Sequence, residues 1–174
     1  MVDNQKNKYF IVICMSAQCS HCVAFKKNHL DNLKTEIAKT PHLQLIIIDL
    51  PTMQSKLPSK YHDSLRKYIS WFPTIALFPE DTWSSSMVSG TPLTGGAIFN
   101  GAIDGNGNVS YVPGGRPMNV DSILEWVESE ISSGNVQSMK ARFVFNQQMQ
   151  NNQVQTEILI PTSICSRNYF KPRK

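Results

Sequence analysis

The chain has 174 residues, of which 41% are hydrophobic and 17% charged, and a net charge of +4. That length and composition support one globular domain with an extension and exclude wholesale disorder. The basic excess is too small to indicate a nucleic-acid surface, and no apolar run approaches the roughly 20 residues of a bilayer crossing, so neither nucleic acid nor a membrane is expected as a partner.

Residues 8–15 open the pattern with "YFIVICM", an aromatic and β-branched run that reads as a buried first strand. Lys6 and Lys8 ahead of it give a passing likeness to a signal peptide. The run is short, however, and cleavage after it would leave the cysteines that follow at a new terminus. The chain is therefore read as uncleaved and cytoplasmic. A helix is expected from about Ser20 to Lys39, because Val23, Leu30, Leu33 and Ile37 recur at helical spacing. "PHLQLIIIDLP", residues 41–51, is bounded by prolines and predicts a central strand covered on both faces.

A short helix follows near residues 59–69, then a third strand, "TIALF", at 74–78. Residues 79–97 are rich in Ser, Gly, Thr and Pro and read as an irregular insertion. Strands near 97–103 and 108–112, joined by "DGNGN", read as a hairpin. "MNVDSILEWVESEI" is the last helix, with Asp121 as the expected cap and a stripe of Ile123, Leu124, Val127 and Ile131.

The order β-α-β-α-β-β-α predicts an α/β domain over residues 1–133, a three-layer sandwich with a central four-stranded mixed sheet flanked by helices. Residues 134–174 form a polar extension with a basic end, in which a Gln/Asn-rich tract at 146–155 lies between the strand-like "ARFVF" and "TEILIP". His29, His42 and His62 lie in polar surroundings and read as solvated.

The four cysteines are Cys14, Cys19, Cys22 and Cys165, too few for a scaffold built on disulfides. Cys14 reads as a small hydrophobe inside the first strand, and Cys165 as a free thiol in the tail. Cys19 and Cys22 differ, because "CSHC" stands between a strand and the start of a helix. Three readings of the pair are open: a redox couple, half of a metal site, or ordinary core residues. A structural zinc site wants four ligands, and the sequence has no second CxxC or close histidine pair, so no metal and no organic cofactor is expected.

Taken with "LQLIIIDLP" and "WFPTIALFP", the CxxC between strand and helix resembles the thioredoxin superfamily over roughly residues 8–133. The resemblance implies a thioredoxin-like fold in which Pro73 is cis and lies beside the cysteine pair. "NGNVSYVPGGR" and the helix after it look like the family's closing hairpin and helix. His21, before the second cysteine, is similar to the active sites of protein disulfide isomerases and DsbA-type oxidases. Three positions differ from the family pattern: Gln18 where an aromatic is usual, Ile13 where a carboxylate is often buried, and Lys27 where many members have a helix-kinking proline. Only seven residues precede the first strand, where the family has a leading strand and helix.

The implied function is thiol–disulfide exchange on protein dithiols and disulfides. Exchange needs a thiolate, and a free cysteine, with a pKa of about 8.5, is little ionised near neutrality. A helix N-terminus favours the anion, which predicts Cys19 as nucleophile, Cys22 as resolving thiol and His21 as a group that tunes the thiolate. Stabilising the thiolate makes the disulfide more oxidising, so a potential above that of an ordinary thioredoxin is expected. Pro73 would shape a groove where an extended partner segment pairs as a strand. The alternative is a thioredoxin-fold binding or structural module with weak or no redox activity.

Overall fold

Side-chain alternation along one strand organises the molecule. In β1 (Tyr9–Met15), Tyr9, Ile11, Ile13 and Met15 turn to one apolar cluster, while Val12 and Cys14 turn to a second on the opposite face. A strand covered on both faces is apolar at nearly every position, which is why this run shows no alternation in the sequence. The structure is a computed structural model that describes residues 8–136, all within a unit running from residue 1 to 139. "ARFVF", "TEILIP", the Gln/Asn-rich tract, Cys165 and Lys6 lie outside the described residues.

β1 pairs in parallel with β2 (Leu43–Asp49) and antiparallel with β3 (Thr74–Pro79). β3 pairs antiparallel with β4 (Ala97–Ile98), which completes a four-stranded mixed sheet in the order β2-β1-β3-β4. Residues 20–38 and α4 (Val120–Ser132) cover one face with Phe25, Leu33, Ile123 and Trp126. A 3₁₀ helix (Asp63–Tyr68) and α3 (Glu80–Ser89) cover the other with Leu65, Tyr68 and Trp83. No described helix is long and apolar enough to cross a membrane.

The helical run at residues 20–38 is not uniform. It consists of α1 (Ser20–Phe25), a π turn (Lys26–Leu30) and α2 (Asp31–Ala38). A π turn closes i→i+5 hydrogen bonds and so holds one residue more than an α turn, which rotates the helix before it by about 100° against the helix after it. Leu30, Leu33 and Ile37 are buried as their spacing predicts. Val23 is 52% exposed, and Cys22 takes the inward place.

Other expectations need correcting. Among the described residues β2 is an edge strand, not a central one, with Leu45, Ile46 and Ile47 half-buried. A continuous apolar run reports two covered faces; it carries no information on whether both edges are paired. Residues 79–97 are not irregular throughout, because α3 occupies half of them. Pro79 stands at its N-cap, Glu80 and Asp81 complement the helix dipole, and Gly90 ends it at φ 66°. Its serine-rich body masks these signals. Trp83, its ring tilted against Phe10 at 5.8 Å and Phe78 at 5.6 Å, anchors it instead.

The expected strand at 97–103 is split at Asn100, whose φ is 54°. Its amide donates to the Arg116 carbonyl at 2.7 Å and accepts the Arg116 N–H at 2.8 Å. Beyond the break, β5 (Gly101–Ile103) and β6 (Val109–Tyr111) pair as a separate ribbon. α4 is capped by Asn119, whose Oδ1 accepts the Ser122 N–H at 2.9 Å, and Asp121 sits in its first turn. His62, expected in solvent, caps the 3₁₀ helix through Nδ1, which accepts the Ser64 N–H at 3.2 Å. His29 lies against Phe25, and His42 is half-buried.

Candidate active site

The C-terminal ends of β1 and β2 and the start of β3 meet at one end of the sheet, since Met15 lies in register with Asp49 and Cys14 with Thr74. The chain leaving β1 must turn there before entering α1, and Ser16 ties the turn. Only 2% exposed, it donates Oγ–H to the Pro51 carbonyl at 2.8 Å and accepts the Gln18 N–H at 3.2 Å. Its own carbonyl accepts the Cys19 N–H at 3.2 Å.

Cys19 then occupies the N-cap of α1, in extended backbone at φ −95°, and its Sγ accepts the Cys22 N–H at 3.4 Å. An oxygen of Ser, Thr, Asp or Asn usually fills this role; here a sulfur does. Cys19 is half-buried and Cys22 fully buried, and the two approach to 3.3 Å. The Cys22 Sγ accepts the Ser16 N–H at 3.4 Å. Burial pushes the Cys22 thiol from an ordinary 9.0 up to about 11, with Cys19 adding to the rise and the Ser16 N–H and the Lys26 charge opposing it. At neutral pH Cys22 therefore holds its proton.

On the other side of Cys19, the Phe72–Pro73 peptide bond is cis and Pro73 is buried. The Cys19 thiol donates to the Phe72 carbonyl at 3.5 Å, and Thr74 Oγ1 holds the carbonyl of Trp71. The structure thus brings together Cys19, Cys22 and the residues around Pro73. It does not bring in His21: that side chain is exposed on the first turn, while the two sulfurs meet main-chain groups of Ser16, Cys22 and Phe72 and interact with each other. With Cys22 turned inward, the residue before it points to water.

Two features escaped the sequence reading. Ser16 was readable in principle, as a serine placed to hydrogen-bond the N–H two residues on. Lys26, whose Nζ lies 2.6 Å from Asp49 Oδ1, was not, because the pair joins a helix to the end of a strand. Cys14 is 2% exposed on the other face of β1, where burial pushes its thiol up to about 12 against the opposing charge of Arg66. Among the described residues no three His, Cys, Asp or Glu side chains gather as a metal-binding group.

No family model matches the sequence, and no curated protein or solved structure matches it either.

Proposed function

We propose that the protein is a thioredoxin-like thiol–disulfide oxidoreductase that acts on protein substrates through Cys19 and Cys22. One observation carries this reading: a half-buried cysteine at a helix N-cap, 3.3 Å from a buried cysteine one turn on. The cis Phe72–Pro73 bond, with its carbonyl turned to Cys19, supports it further. In the proposed cycle the Cys19 thiolate attacks a partner disulfide and releases one partner thiolate. Cys22 then gives up its proton and attacks the Cys19 sulfur, which releases the second partner thiol and leaves the Cys19–Cys22 disulfide.

A binding module with weak exchange is the second reading, and Ile13 favours it. That side chain is fully buried in the cluster that holds Cys22, where a carboxylate would otherwise take the Cys22 proton. A protonated resolving thiol slows the second step. Replacing it separates the two readings. A Cys22→Ser variant is expected to accumulate partner proteins as mixed disulfides on Cys19 that dithiothreitol releases. If Cys22→Ser traps no more than a Cys19→Ser control, exchange is lost and the binding module remains.

A further inference from the structure

We propose that the loop at residues 51–54 is a specificity wall beside Cys19, at which Met53 and Phe72 receive an apolar side chain adjacent to the partner's reacting cysteine. The proposal rests on the exchange reading above and adds the chemistry of the partner. A cleft of about 210 Å³ opens here, lined among others by Cys19, Phe72, Pro51, Met53, Gln18 and Gln54. Pockets for cofactor-sized or drug-sized ligands run to about 300–1,000 Å³, so this one suits a side chain and not a whole small molecule. Cys19 is part of its lining, so whatever fills it is held next to the sulfur.

No charged side chain lines the cleft. The cleft is shallow, so a partner Asp or Lys there would keep much of its water but find no counter-ion, whereas Leu, Met or Phe would bury apolar surface against Pro51, Met53 and Phe72. Met53 is 37% exposed, and its thioether chain is adaptable enough to close over aliphatic or aromatic groups.

The wall is held in place from behind. Arg66, on the 3₁₀ helix, donates to the carbonyls of both Met53 and Ser55. Ser55 Oγ accepts the Thr52 N–H at 2.9 Å, and Ser16 Oγ fixes Pro51. Arg66 is thus a positioning residue: it touches no substrate and fixes the main chain that carries Met53.

The test uses the full chain, reduced, in single turnover. The substrates are hydroxyethyl disulfide and two short peptides whose one cysteine is disulfide-linked to 2-mercaptoethanol, with Leu or Asp beside that cysteine. In each reaction the substrate S–S bond breaks, the Cys19–Cys22 bond forms, two electrons pass to the substrate sulfurs, and the two thiol protons end on the released thiols. The expected result is that the Leu peptide reacts about ten-fold faster than the Asp peptide, the size of effect an apolar pocket supplies.

Met53→Ala should bring the Leu-to-Asp rate ratio close to one, each peptide rate being referred to that of hydroxyethyl disulfide with the same variant. Arg66→Lys keeps the charge but loses the two-pronged donation, and should do the same in part. Equal rates for the two peptides, or a preference that survives Met53→Ala, overturn the wall alone. Absence of any Cys19-dependent reduction of hydroxyethyl disulfide overturns exchange itself, and the wall with it.

Discussion

Residues 20–38 and α4 lie on the same face of the sheet and reach the same cluster around Ile13, but they are built differently. α4 is a single regular helix from Val120 to Ser132 that turns Ile123, Trp126 and Val127 inward on one phase. The other run changes phase at its π turn. Its lower half anchors on Leu30, Leu33 and Ile37, and its upper half buries Cys22 and Phe25. A uniform helix anchored on the lower residues would turn Cys22 aside and bury Val23. The π turn lets one element satisfy the core at one end and place a sulfur under the β1–α1 turn at the other. π turns mark functional positions often enough for this to be expected at a site.

Removing the extra residue breaks the difference. Deletion of Lys27, which is exposed, should let the π turn relax to an α turn and rotate α1 by about 100°. Cys22 would then swing outward. Its alkylation by iodoacetamide, expected in the native protein to be far slower than that of Cys19, should rise by about ten-fold or more and approach the Cys19 rate, as expected when a buried thiol becomes accessible. Mass mapping of the labelled peptides reads both sulfurs at once. An unchanged Cys22 rate would mean that the π turn does not set the phase of α1.

The regular helix supplies the contrasting case. Trp126→Ala removes a ring that is 6% exposed and lies 5.5 Å from Phe99, and should cost about 3–5 kcal/mol in urea unfolding. It should leave the alkylation ratio of Cys19 to Cys22 where it was, because α4 makes none of the hydrogen bonds at the sulfurs. A change in that ratio would show that the two elements are coupled through the core.

Buried thiols sharpen the comparison by pH. Cys22 is raised from 9.0 to about 11 and Cys14 from 9.0 to about 12, both chiefly by burial. The folded state therefore holds protons that the unfolded chain gives up above pH 9. Stability is at full value below that point and falls as pH rises toward 11 for one thiol and 12 for the other, by about 1.4 kcal/mol per pH unit per thiol. Cys14→Ala should flatten the upper part of this limb, between pH 11 and 12, where of the two thiols only Cys14 still contributes. A slope there equal to the unsubstituted protein's would place the loss elsewhere.

Much of the sheet was legible because its strands are apolar, β-branched runs, two of them bounded by prolines, and the cysteine pair because its spacing sits at a strand–helix junction. What failed shares a physical cause. Periodicity reports a face only while the hydrogen-bond ladder is uniform, and the five residues Lys26–Leu30 look no different in composition from an α turn. α3 was hidden because serines are weak helix formers, and its stability comes from Trp83 packing on Phe10 and Phe78. The break at Asn100 depends on Arg116, sixteen residues on. Contacts of that kind leave no local trace, and neither does the latch from Arg66 to the 51–54 loop.

Val23 provides the smallest effect and the most economical check on the phase of α1. Helical spacing from Leu30, Leu33 and Ile37 assigns it to the core, where truncation to alanine would remove buried methyl groups and leave a void. Ile→Val, which deletes a single methylene, already costs about 0.5–1.5 kcal/mol in a core, and Val→Ala deletes more. With 52% of the residue exposed, there is no void to leave. Val23→Ala should shift the unfolding free energy by less than about 0.5 kcal/mol, helped by alanine's better helix propensity. The same substitution in the Lys27 deletion background, where the first turn is rotated, should cost about 1 kcal/mol or more, because Val23 would then be inside. A cost that is equal in both backgrounds would leave the inward turn of Cys22 without its cause.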